Sequence, residues 1–183
     1  MMTATDMSPR STRILRIAGW TVAACLLALP AIAMLAGVEG VSWTASDFVF
    51  AATIFAIVGG VFELAARASA NLAFRLGTGL AVACAFLQIW INLAVGIIGS
   101  EDNPANWTYF AVVFAAIVGA VAALGKVRVL APAMVAVAGL QVLFSILHAV
   151  NGTPTPIIDA FFAAMWLGAA ALFRRAAREQ IAA

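Results

Sequence analysis

Six polar residues stand inside otherwise apolar runs, and their spacing is where chemistry would be carried. Gln88 and Asn92 are four apart. Gln141, Ser145 and His148 follow one another at spacings of four and three. On a helix those intervals put each set on one face. Amides, a hydroxyl and an imidazole give donors and acceptors without a fixed charge. They can bond a neighbouring helix, at about 0.6 kcal/mol on average inside a membrane, or line a path for a small polar solute. Helix-to-helix bonding is the preferred reading. The sixth residue is Glu63, with Arg67 four positions later. That is the favourable order for an ion pair along a helix, and pairing near the end of the run accounts for this acid.

Other chemistry is poorly served. The chain has a single histidine, His148, so it cannot supply both axial ligands of a haem, although an imidazole is the usual proton switch. Lys126 lies in a turn and no lysine lies in an apolar run, which disfavours a Schiff-base chromophore. Cys25 and Cys84 have no partner at metal or disulfide spacing. No phosphate-binding glycine loop, catalytic carboxylate pair or Ser–His–Asp set is visible. The expectation is a protein that is not an enzyme and takes no cofactor, metal or nucleic acid. The acids Glu39, Asp47, Glu101, Asp102 and Asp159 are read as solvated loop residues and helix caps.

The elements that must hold these residues are transmembrane helices. Of 183 residues, 65% are hydrophobic and 10% charged, and the mean hydropathy is +1.08. Soluble domains carry roughly 25% charged residues, so most of this surface must face lipid. Six apolar runs are long enough to span a bilayer, at about 14–38, 47–66, 76–99, 107–124, 129–150 and 156–173. The fold class expected is an all-α integral membrane bundle of six helices. Ala31-Ile-Ala33 resembles a leader-cleavage site, but the first run is too long for a signal-peptide core and is read as a span.

Charge sets the expected orientation. The ten basic residues fall in four segments: Arg10, Arg13 and Arg16; Arg67 and Arg75; Lys126 and Arg128; Arg174, Arg175 and Arg178. These alternate with connections that have none. The positive-inside rule then places both basic turns, a polar segment 1–13 and a basic stub 174–183 in the cytoplasm.

The chain also repeats. Leu87-Gln-Ile-Trp-Ile-Asn-Leu-Ala matches Leu140-Gln-Val-Leu-Phe-Ser-Ile-Leu at an offset of 53, and Phe114-Ala-Ala116 matches Phe162-Ala-Ala164. Three repeated helical hairpins are the economical reading; parallel repeats occur in transporters. Thr44-Ala-Ser-Asp47, Asn103-Pro104 and Thr155-Pro156 carry helix-start signals. Pro132 is read as a helix-start proline and Pro30 as a kink in the first span. Trp20, Trp43 and Trp107 fit an interfacial belt, whereas Trp90 and Trp166 fall nearer the middle of the bundle.

The stretch Asn92-Leu-Ala-Val-Gly-Ile-Ile-Gly-Ser-Glu-Asp-Asn-Pro-Ala-Asn106 and the ending Leu172-Phe-Arg-Arg-Ala-Ala-Arg-Glu179 resemble a family of small bacterial polytopic membrane proteins to which no activity is attached. The resemblance implies a bacterial inner-membrane setting and no transferable role. The leading expectation is an accessory or structural membrane component that packs with lipid, with its own copies or with a membrane-protein partner. The alternatives are a small-solute or ion transporter or channel with a polar path between spans three and five, and a binder of a lipid-like cofactor such as a quinone, held by Trp90 or Trp166.

Overall fold

The computed structural model describes residues 8–39, 41–124 and 126–182. Six long helices form: α1 (Pro9–Leu35), α2 (Ala45–Ala68), α3 (Leu72–Ala94), α4 (Trp107–Ala123), α5 (Val127–Val150) and α6 (Pro156–Ala182). A single 3-10 turn, Pro104–Asn106, leads into α4. All six are long and apolar enough to cross a membrane, which makes this a multi-pass membrane protein. The described residues form two compact units, one of α1 and α2 and one of α3 to α6.

In the first unit, α1 packs on α2. Helix α1 starts inside the segment expected to be polar coil, because Ser8 caps it by accepting from Ser11 N at 3.1 Å and Pro9 occupies the first helical position. Residues 1–7 of that segment lie outside the described residues. Pro30 sits within α1. Side chains such as Ile14, Ile17, Leu29 and Ile32 are exposed, as lipid-facing residues must be. The capping box at Thr44 forms: Asp47 Oδ2 accepts from Thr44 N at 2.7 Å, and Thr44 Oγ1 from Asp47 N at 3.4 Å. At the other end Glu63 accepts from Arg67 Nε at 2.9 Å and is also paired with Arg16 of α1. The second arginine ties the two helices together.

In the second unit, α3 packs on α4 and α6, and α5 packs on α4 and α6. This is a ring of four helices in which α3 and α5 are diagonal. Short connections make successive helices antiparallel. One end of the ring carries the α3–α4 and α5–α6 connections. At the other end the start of α3 meets the end of α6: Asn71 caps α3 by accepting from Phe74 N at 2.9 Å and donates from Nδ2 to Glu179 Oε2 at 2.7 Å. Helix α6 runs unbroken through its basic ending, with Ala176 and Ala177 buried. The core includes Tyr109, Val112, Met134, Phe162, Trp166 and Phe173.

Besides the early start of α1 and the extension of α6 past residue 173, two boundaries differ from expectation for a local reason. The third span is expected to reach residue 99, but α3 stops at Ala94. Gly96 takes φ +71° and Gly99 φ +69°, a left-handed conformation that glycine adopts without steric cost. The connection then folds onto Asn106, whose Oδ1 accepts from Ile98 N at 2.8 Å and whose Nδ2 donates to Ser100 O at 2.7 Å and Ile98 O at 3.3 Å. The fifth span is expected to start near residue 129 with Pro132 in its first turn. Helix α5 begins at Val127, so Pro132 lies inside it, close enough to the start that only the Arg128 carbonyl loses its helical donor.

Candidate polar site within the four-helix unit

Helices α3, α4, α5 and α6 each send polar side chains into the ring near the end that carries the α3–α4 and α5–α6 connections. Gln88 of α3 donates from Nε2 to Oε1 of Gln141 on α5 at 2.7 Å. The bond crosses the centre of the ring between diagonal helices, and both residues are fully buried. Gln141 Nε2 donates onward to Asp159 Oδ1 of α6 at 2.9 Å. Tyr109 of α4 donates its hydroxyl to the same oxygen at 2.8 Å. Thr155 donates to Asp159 Oδ2 at 2.9 Å. Every hydrogen-bonding side chain around Asp159 therefore offers a hydrogen to it. Asp159 lies in the first turn of α6.

His148 of α5 closes the cluster. Its Nε2 is 3.0 Å from Thr108 Oγ1. That hydroxyl donates to Ala105 O at 2.7 Å, so its lone pairs face the ring and the imidazole hydrogen falls on Nε2. The other nitrogen, Nδ1, lies 3.8 Å from Asp159 Oδ2, too far for a hydrogen bond. The Tyr109 and His148 rings pack at 5.6 Å between centroids.

Several buried polar atoms have no partner among the described residues: Gln88 Oε1, Asn92 Oδ1, His148 Nδ1 and Trp166 Nε1. Buried polar atoms are nearly always paired with protein or water. A fifth such atom, Glu63 Oε2, belongs to the α1–α2 unit.

The sequence-derived candidates separate into three sets. Gln88, Gln141 and His148 come together in the cluster. Asn92 bends back, donating from Nδ2 to the Gln88 carbonyl at 2.7 Å. Ser145 is half-buried and takes no part in the network. Glu63 belongs to the α1–α2 unit with its two arginines. The hub itself, Asp159, is expected from sequence to be a solvated outer acid, yet it is 2% exposed. Tyr109 is missed by sequence reasoning, although it is the one tyrosine in the chain. The signal available is Thr155-Pro-Ile-Ile-Asp159, a hydroxyl and a carboxylate four apart across a helix start. Trp166 is core at 1% exposed, whereas Trp90 is 40% exposed and stacks on Phe86. Among the described residues no cluster of His, Cys, Asp and Glu is arranged to hold a metal.

A ring of four membrane-spanning helices around a buried aspartate, together with a two-helix unit, is the class defined by fold and site. Comparison with known proteins gave no matching family model, no matching curated protein and no matching solved structure.

Proposed function

We propose that the chain is a non-enzymatic, multi-pass accessory protein of a bacterial cytoplasmic membrane, whose four-helix unit is held in one register by the buried chain Gln88–Gln141–Asp159–Tyr109. The observation that carries the reading is that one carboxylate gathers donors from α4, α5 and the approach to α6. A lone intramembrane acid is costly, whereas one enclosed by donors fixes the relative positions of the helices that supply them. In this reading the basic segments lie on the cytoplasmic side with both termini. The hairpin repeat makes Gln88 and Gln141 equivalent positions. The orientation is tested by fusing a periplasm-active reporter after Arg178. The fusion should be silent, and activity there would reverse the topology.

A second reading is a small-solute or ion path through the same interior. The unpartnered buried atoms of Gln88, Asn92, His148 and Trp166 favour it, because a passing solute or proton needs such groups. Gln88→Leu combined with Gln141→Leu separates the two. For an accessory component, the pair should lower the unfolding free energy by about 1–2 kcal/mol, the scale of intramembrane hydrogen bonds, with no flux to lose in proteoliposomes. For a path, the wild type should conduct protons or a small solute, and the double variant should abolish that flux while still folding.

A further inference from the structure

At the end of the unit away from Asp159, a cavity of about 310 Å³ opens between the start of α5 and the end of α6. Arg128, Arg174 and Arg178 form its walls, and Ala131, Pro132 and Ile181 line it with apolar surface. Among the described residues none of these three arginines has a carboxylate partner. The nearby acid, Glu179, is held by Arg175 at 2.8 Å and by Asn71 at 2.7 Å. Three guanidinium groups around one cavity repel each other unless an anion sits among them, and a guanidinium fork suits phosphate oxygens above other anions. The surroundings select the source of the phosphate. Apolar atoms line the same cavity, and below Pro132 the exposed face of α5 continues through Val135, Val142 and Ile146, a surface that an acyl chain can follow. A basic pocket where membrane helices end is the arrangement that takes acidic lipid headgroups.

We propose that this cavity is a binding site for the phosphate headgroup of an anionic phospholipid, with the acyl chain lying along α5. The assignment rests on the membrane reading of the chain, but its test in detergent does not depend on orientation or on the role of Asp159. The purified full-length protein in a mild non-ionic detergent is titrated with phosphatidylglycerol, with phosphatidylcholine and with inorganic phosphate, and retained ligand is read by native mass spectrometry. Phosphatidylglycerol should be retained in preference to phosphatidylcholine. Arg174→Gln with Arg178→Gln should weaken it about tenfold or more, since each arginine at a lipid surface is worth roughly fivefold. Arg128→Gln, on the other helix, should weaken it about fivefold. Arg10→Gln with Arg13→Gln removes equal charge elsewhere and should change nothing. These arginines are exposed, and a thermal melt of each variant confirms that it is folded before binding is compared. Equal retention of both lipids, equal loss in the Arg10 and Arg13 control, or displacement of phosphatidylglycerol by millimolar inorganic phosphate alone would each overturn the assignment.

Discussion

Replacing Asp159 by alanine should lower the unfolding free energy of the α3–α6 unit by about 3 kcal/mol. The change strands the Gln141 amide, the Tyr109 hydroxyl and the Thr155 hydroxyl, and a buried donor left without an acceptor costs about 1–3 kcal/mol. The sum is held toward its lower end because Tyr109 and Thr155 lie 3.0 Å apart and can bond each other. Asp159→Asn keeps the shape and one carbonyl oxygen, so Gln141 and Tyr109 retain an acceptor. Its effect should be about half as large. Unfolding in detergent, followed by intrinsic tryptophan fluorescence, measures both. If Asp159→Ala stays within about 1 kcal/mol of the wild type, the carboxylate is not the hub and the network contributes little beyond packing.

Gly96→Ala should cost a similar amount through a different cause. The residue sits at φ +71°, and an added Cβ would overlap the backbone of Ser100 and lie 2.6 Å from Glu101 N. Left-handed backbone alone costs roughly 1–2 kcal/mol for a residue with a Cβ, and a backbone atom cannot swing aside as a side-chain tip can. A loss of about 3 kcal/mol is expected, with faster proteolysis in the 95–103 connection. Gly99→Ala is the internal comparison. It shares the positive φ, at +69°, but its Cβ would meet only the Asn103 amide at 3.3 Å, so about 1 kcal/mol is expected. Equal losses at the two sites would mean that conformation alone, without the close approach, sets the cost.

The six helices were legible because membrane spans announce themselves by length and apolarity, and neither signal depends on partners. The ends were legible only where the chain carries its own cap, as at Thr44 with Asp47. At Gly96 the end depends on Asn106 reaching back six and eight residues to seize a loop, a contact that no local pattern encodes. The same division runs through the site. Gln88 and Gln141 stand out because amides are conspicuous among alanine and leucine. Asp159 hides because it follows an uncharged loop and a proline, where an acid is ordinarily a solvated cap. Its burial is decided by Tyr109 and Gln141, which are 50 and 18 residues away in the chain. Pro132 misled for a related reason. Proline marks a helix start reliably only when nothing upstream can add a turn, and Lys126 to Val129 does add one.

The ring of α3 to α6 also sets an order of events during synthesis. Three of its four helix contacts join consecutive helices, and the fourth, between α3 and α6, joins the first to the last. A chain made from the N-terminus therefore delivers Tyr109 and Gln141 to the bilayer before Asp159, the acceptor that they share, has left the ribosome. Until α6 arrives, those groups must bond one another, bind water or remain unmatched in hydrocarbon, where each unmatched group costs several kcal/mol. Arrival of Asp159 closes the ring and satisfies them together. A chain that ends before Asp159 thus keeps the Gln88–Gln141 bond but leaves the Gln141 amide and the Tyr109 hydroxyl without the acceptor that joins them to α6.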